Sequence, residues 1–326
     1  MLKSLIKNSI NIKTILKIMD NEARTIIDNL LSDSELYQKM SEKEGEVWGR
    51  IFSNQKRNDA LIHEQAAAQQ LRINRNLLNL PFLLKNKSIF PEKGLSLACG
   101  GGRAERQLIK QGICQSFHGI DISENALSEA RKKAKEGNLN ITYEQGDLNH
   151  LELPEKEYDL VVTQNCLHHV LRLEDLADQI FKSMRPDGVL WIHDYIGETQ
   201  FQYSDERLYW VNSILSLLPE QMKIDTVNNR VLNKVVRKKP GTLVSPFESI
   251  RSSEIVPIFL ERFDVIEKFE FDSILRFVCG PGTRESFLTD EISQSLFEIL
   301  FFLDKVLIEK GILTPCAGQY LLKLKR

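Results

Sequence analysis

The chain has 326 residues, 42% of them hydrophobic and 27% charged, enough to bury one large core with additions or two modest ones. A formal net charge of -2 provides no overall positive field, which counts against broad attachment to nucleic acid by phosphate neutralisation. The five cysteines, Cys99, Cys114, Cys166, Cys279 and Cys316, stand far apart with no CxxC pair, which argues against a disulfide framework or a zinc knuckle and for a reducing cytoplasm.

The N-terminal stretch MLKSLIKNSINIKTILKIM has no acidic residue before Asp20, yet Lys3, Lys7, Lys13 and Lys17 interrupt its apolar positions. A secretory core needs an unbroken apolar block and transit peptides favour Arg, so the stretch reads as an amphipathic packing helix with no stable membrane insertion. From Asp20 to about Leu84 apolar residues recur at threes and fours, as in Leu61, Ile62, Leu71, Ile73, Leu77 and Leu78. This predicts a helical N-terminal extension over residues 1–90, with Pro81, Pro91 and Gly94 breaking the pattern at its end.

Beyond it, short apolar runs alternate with helical stretches: LSLA then RAERQLIKQG, SFHGID then SENALSEARKKAKEG, ITYEQ, YDLVVTQ then LEDLADQIFKSM, and GVLWIHDYI. Such alternation predicts an α/β fold in which crossover helices join parallel strands. Ser123 precedes a helical run that Gly137 closes, and Pro186, Asp187 and Gly188 turn into the next strand. After Gly197 the rhythm gives way to a mixed segment with Phe201, Tyr203, Tyr209 and Trp210 and the basic run RVLNKVVRKKPG. It resumes with SEIVPIFLERFDVIEKFEF, a helix and a strand, then a long helix from Ile292 and the strand GQYLLKLK. Glu298, Asp304 and Lys305 make that long helix a buried protein helix rather than a bilayer span. Residues 197–250 read as an insertion over the carboxyl ends of the strands, where open α/β sheets bind ligands.

The strand LSLA enters its helix through Gly100, Gly101 and Gly102, and so little side chain lets a ligand come within contact distance of the main chain. A phosphate loop is excluded because Gly102, Arg103, Ala104 replace its Gly-Lys-Ser/Thr ending, and the dinucleotide spacing fails at Glu105. About twenty residues on, Asp121 ends the strand SFHGID, placed to accept hydrogen bonds from a ribose diol. Asp147 follows another strand, positioned to accept from an exocyclic amine, and YDLVVTQ finishes at Asn165.

These stations, in this order, resemble the class I S-adenosylmethionine-dependent methyltransferases over nearly everything from Leu95 to the end. The resemblance implies a Rossmann-like, mostly parallel seven-stranded sheet with helices on both faces. It places the methyltransferase domain over residues 91–326, after the helical extension, with the insertion following the fifth strand. It also implies S-adenosylmethionine as cofactor, held by the turn at Ala98, Gly100 and Gly102, by Asp121 with Ile122, by Asp147 with Leu148, and by Asn165. Two positions depart from the family pattern. Ala98 replaces a glycine, a small change, and Ser96 replaces a carboxylate that helps to hold the cofactor's ammonium. Ser96 can hydrogen-bond but brings no charge, so either cofactor affinity suffers or a carboxylate from the N-terminal helices compensates. Trp48, Arg72 and Arg75 of those helices are expected to close over the cofactor. The segment from Leu167 to Leu208 further resembles a bacterial subgroup that serves glycans and secondary metabolites.

Methyl transfer from a sulfonium requires mainly alignment in a water-poor site. For a hydroxyl acceptor a general base of near-neutral pKa helps, and His168, His169 and His193 lie at or just past strand ends facing the expected pocket. A packing imidazole is the alternative for each. His193, Asp194 and Tyr195 form a polar cluster expected to touch the acceptor, while Phe201, Tyr203 and Trp210 either line its pocket or pack in the core. Arg230, Lys234, Arg237, Lys238 and Lys239 are either a solvated face or a seat for an anionic acceptor. Adjacent His168 and His169 lack a spacing that puts both on one helix face, so no metal is expected. The leading expectation is methylation of a small molecule or glycan, with no nucleic acid partner. RNA or protein methylation is the enzymatic alternative, weighed down by the charge and by Asn165, Cys166, Leu167, His168 in place of Asn-Pro-Pro-Tyr. A cofactor-binding partner subunit without catalysis is the reading from a different class.

Overall fold

The computed structural model describes residues 21–53 and 55–325, so the Lys- and Ile-rich N-terminal stretch lies outside the described residues. Four helices come first: α1 (Asn21–Ser32), α2 (Ser34–Ser53), α3 (Gln55–Gln70) and α4 (Leu80–Asn86). Pro81 does not end the helical region but opens α4. Asn79 caps that helix by accepting from the Phe82 N–H, and a proline in the first turn gives up an N–H that has no helical partner anyway.

The alternating part follows as β1 (Lys93–Leu97), α5 (Arg103–Lys110), β2 (Ser116–Asp121), α6 (Glu124–Glu136), β3 (Ile141–Gln145), β4 (Tyr158–Gln164), α7 (Leu173–Ser183) and β5 (Met184–Tyr195). Then come α8 (Asp205–Leu217), a short ribbon of β6 (Ile224–Asp225) and β7 (Arg230–Val231), and α9 (Ile255–Arg262). β8 (Phe263–Phe271), α10 (Leu275–Val278), α11 (Glu291–Glu309) and β9 (Ala317–Leu324) complete the order. Ser123 caps α6 through the Ala126 N–H and Gly137 closes it, as the sequence predicts. Pro186, Asp187 and Gly188 lie inside β5 as an irregularity: Tyr158 pairs with Met184, the register shifts, and pairing resumes at Leu160 with Val189.

Seven strands make one sheet in the order β3-β2-β1-β4-β5-β9-β8, parallel except where β9 runs antiparallel to β5 and β8. They correspond to the seven apolar runs read from the sequence. One face, with Leu95, Leu97, Val161, Leu190 and Ile192, is covered by α7 and α9. The other, with Phe117, Leu160, Val162, Val189 and Trp191, is covered by α4 and α5. Burial on both faces explains why the central strands are nearly continuous in apolar residues. The strand order reverses between β1 and β4, and the crevice beyond their carboxyl ends is where such a sheet takes a ligand.

A further core joins residues 197–250 to the segment between β8 and β9: Val211, Ile214 and Leu215 of α8 pack with Leu275, Val278, Phe297 and Leu300. Tyr203 belongs to this core, with Phe201 and Trp210 packed against it. Finally, Ile27, Leu30 and Tyr37 of α1 and α2 rest on Leu171, Phe247 and Ile250, so the N-terminal helices lie against the last turn of the insertion. No helix among the described residues is long and apolar enough to cross a membrane.

Candidate active site

At the β1/β4 reversal, a cavity of about 280 Å³ opens between the carboxyl ends of the strands and helix α2, near the lower end of the roughly 300–1,000 Å³ usual for small-molecule sites. Its walls include Ala98, Asp121, Ile122, Asp147, Leu148, Asn165 and His169, together with Glu44 and Trp48 of α2 and Phe247 of the insertion. Ala98 (φ 48°) and Asn165 (φ 52°), which follow β1 and β4, both hold left-handed backbone. For alanine that conformation costs about 1–2 kcal/mol, so the replacement of glycine at 98 is less neutral than its size suggests. Gly102, at φ 71°, is demanded by its neighbours: a Cβ there would lie 2.3 Å from the Tyr143 hydroxyl.

Asp121 is buried at the end of β2, and its carboxylate accepts from the Gly100 and Ser123 N–H groups, 2.8 Å each. Burial pushes its pKa up, against the lowering effect of those two bonds. A carboxylate offers about four lone-pair positions, so two remain for a diol. At this residue the walls fit an adenosyl group. Asp147 is more crowded. Its Oδ2 accepts from the Tyr37 hydroxyl (2.6 Å) and the Ser41 hydroxyl (2.8 Å), and its Oδ1 from the Asn149 backbone and side-chain N–H groups. An exocyclic amine reaching this carboxylate displaces a hydroxyl of α2. Ser96 is buried on β1, 3.4 Å from Glu105, whose other oxygen has no partner and whose pKa burial raises. The carboxylate beside Ser96 thus comes from α5 and not from the N-terminal helices, and it is not among the walls of the cavity.

The turn Leu167–His169 after β4 is held by Asp194. That buried carboxylate accepts from the Cys166 and Leu167 N–H groups at 2.8 Å, from the Tyr195 N–H at 2.8 Å, and from His168 Nδ1 at 2.5 Å. Asp194 therefore orders the histidine turn, and its acceptors are spent on that task. Burial alone would lower the pKa of His168, but the Asp194 charge and hydrogen bond, with Glu248, raise it. His169 Nδ1 lies 3.0 Å from Glu44 Oε1 and its ring meets Trp48 edge-on at 5.1 Å. Glu44 also accepts from Trp48 Nε1, the Ser245 hydroxyl and the Phe247 N–H. Its burial is outweighed by His169 and these donors, which hold its pKa below the usual carboxylate range.

The residues from 95 to 188 match the family described as a methyltransferase domain. Over these residues the chain carries a methyltransferase domain. S-adenosylmethionine is its cofactor. Among curated relatives, the chain is 34% identical over 92 residues to a phosphoethanolamine N-methyltransferase of Plasmodium falciparum, covering 27% of this chain and 34% of that one. It is 30% identical over 122 residues to a ubiquinone biosynthesis O-methyltransferase of Actinobacillus pleuropneumoniae, covering 36% of this chain and 51% of that one. It is also 29% identical over 135 residues to a non-reducing polyketide synthase of Penicillium brasilianum, 39% of this chain but 5% of that one. The chain thus spans about half or less of the length of these relatives.

The fold brings together Ala98, Asp121, Ile122, Asp147, Leu148, Asn165 and His169 around one cavity. His193 is not among its walls. It follows Trp191 on the face of β5 opposite Ile192 and Asp194, as strand alternation requires, and lies near Phe271; burial lowers its pKa. Tyr195 turns its hydroxyl to the Glu198 carbonyl, and Phe201, Tyr203 and Trp210 take the core-packing alternative. Arg75 pairs with Glu298 and stacks on Phe301, tying the leader to α11 instead of covering the cavity, whereas Trp48 does line it. Tyr37, Ser41, Glu44, Phe247 and Glu248 were not singled out by the sequence. Only the four-residue spacing of Glu44 and Trp48 on one helix face carried a signal.

Proposed function

We propose that this methyltransferase transfers a methyl group from S-adenosylmethionine to a hydroxyl oxygen of a small molecule or glycan. The observation that carries this reading is a histidine and carboxylate cluster at the rim of the same cavity whose other walls are Ala98, Asp121 and Asn165. When bound, the cofactor supplies an electrophilic methyl on a sulfonium. Asp121, braced by the Gly100 N–H, would hold its sugar, while Leu148 and Val170 offer apolar surface. Trp48 and Phe247 add aromatic walls to the same cavity, and alignment of acceptor and methyl there would account for much of the rate.

A hydroxyl is a weak nucleophile until it sheds its proton. The cluster is the place for that step: Glu44 stands 3.0 Å from His169 Nδ1 as an ionic neighbour, and neither nitrogen of that imidazole has a hydrogen-bond partner. Carboxylates at this end disfavour an anionic acceptor, and Arg230 and Arg237 of the basic run are paired with Asp225 and Asp205. Four buried free cysteines and a fifth partly buried suit a reducing cytoplasm. Incubation with S-adenosylmethionine and a panel of hydroxylated metabolites and sugars, read by mass spectrometry, tests the assignment. Methyl ethers are expected, and methylation of amines alone overturns the oxygen assignment.

A further inference from the structure

We propose that His168, His169 and Glu248 form a binding site for a first-row divalent cation such as Zn²⁺. The role of such an ion in methyl transfer rests on the reading above, but its binding does not. Each of the three residues offers one ligand atom, and these atoms lie within 4.8 Å of one another. Glu248 reaches both imidazoles: Oε1 is 3.7 Å from His168 Nε2, and Oε2 is 3.9 Å from His169 Nε2. A tetrahedral ion with bonds of about 2.0–2.1 Å spaces its ligands roughly 3.4 Å apart, so the two Glu248 gaps exceed that by a few tenths of an ångström, and the widest pair of ligand atoms, within 4.8 Å, draws together by as much as about 1.4 Å when the ion binds.

The sequence argument against a metal assumed α-helical spacing. The Leu167–His169 segment is instead a 3₁₀ turn, which leaves the two rings with centroids 4.1 Å apart. Each ring also has a buried carboxylate behind it: Asp194 is hydrogen-bonded to His168 Nδ1, and Glu44 stands 3.0 Å from His169 Nδ1 as an ionic neighbour. A carboxylate at one nitrogen fixes the tautomer and points the other nitrogen outward, the arrangement that supports histidine ligands of metals. Charge points the same way. Asp194, Glu44 and Glu248 bring three carboxylates to the two imidazoles. The excess negative charge is what a divalent cation neutralises. Two nitrogens and one carboxylate select a borderline ion over Ca²⁺ or Mg²⁺, which prefer oxygen throughout. An ion here gives the cluster a way to acidify an acceptor hydroxyl without a free imidazole.

The test is calorimetric titration of the chelator-treated full chain with ZnCl₂, with elemental analysis of the metal retained, for the natural protein and for Glu248→Gln and His169→Ala. About one ion per chain is expected, with affinity falling at least 10–100-fold in each variant, the loss typical even for residues behind the ligands. Circular dichroism checks that the variants fold, and Glu248→Gln, which keeps its shape at a partly exposed position, decides if His169→Ala does not. Absence of saturable Zn²⁺ binding, or equal binding in the variant, overturns the site. Methyl transfer that survives chelation in a chain without Zn²⁺ affinity removes the ion and leaves the transfer reading standing. Failure to bind S-adenosylmethionine removes the latter alone.

Discussion

Glu44 is the hinge pin between α2, the histidine turn and the insertion, and Glu44→Gln tests that arrangement. Oε1 receives Trp48 Nε1 (2.7 Å) and the Ser245 hydroxyl (2.9 Å), with His169 Nδ1 3.0 Å away as an ionic neighbour, and Oε2 receives the Phe247 N–H (3.0 Å). Glutamine keeps one acceptor oxygen but turns its amide N–H₂ toward at least one of these donors. A buried donor left unsatisfied costs about 1–3 kcal/mol, which converts to roughly 5- to 150-fold faster amide exchange across α2 and residues 245–250. The sign with pH follows from the lowered pKa of Glu44 in the folded chain. Its contribution is fully present above the ordinary carboxylate value of about 4.3 and is lost as pH falls through the lower folded value. The gap between wild type and variant is therefore wide at neutral pH and closes in strong acid. Hydrogen exchange read by mass spectrometry at both pH values checks this, and equal protection of α2 in the two chains at neutral pH refutes the reasoning.

Removing the hydroxyl that competes for Asp147, by Tyr37→Phe, should tighten S-adenosylmethionine binding about tenfold, the scale of one hydrogen bond to a charged group; weaker binding would make Tyr37 a partner of the ligand. Ala98→Gly relieves a left-handed alanine and should raise the urea midpoint by up to about 1 kcal/mol in stability, so a lower midpoint contradicts the strain argument. His193→Ala should leave methyl transfer close to wild type because the ring lies off the cavity, whereas His169→Ala should lower it about 10²–10⁴-fold; the reverse ranking in initial-rate assays would move the acceptor to the other face of β5.

The sheet was legible because its strands are short apolar runs punctuated by Gly, Pro and capping residues, and both helix and strand periods are local properties. The glycine turn and Asp121 were legible for a similar reason, since each stands at a strand end that the pattern locates. The other half of the site was not. Glu44 meets Ser245 and Phe247 across about two hundred residues of sequence, and Tyr37 meets Asp147 across more than a hundred, contacts to which no local period points. Asp194 shows a different limit. A carboxylate at a strand end looks the same in sequence whether it awaits a substrate or satisfies three backbone N–H groups, and here it does the latter. His193, by contrast, was misplaced against information already present, because a period of two sets it on the face opposite Asp194.

The most direct measurement is titration calorimetry of the full chain with S-adenosylmethionine, alongside Asp121→Ala. Saturable binding of one cofactor per chain is predicted, weakened about 10–100-fold in the variant by loss of a charged hydrogen-bond acceptor. No binding at millimolar cofactor, or equal affinity in the two chains, would mean that the cavity at the β1/β4 reversal serves some other ligand.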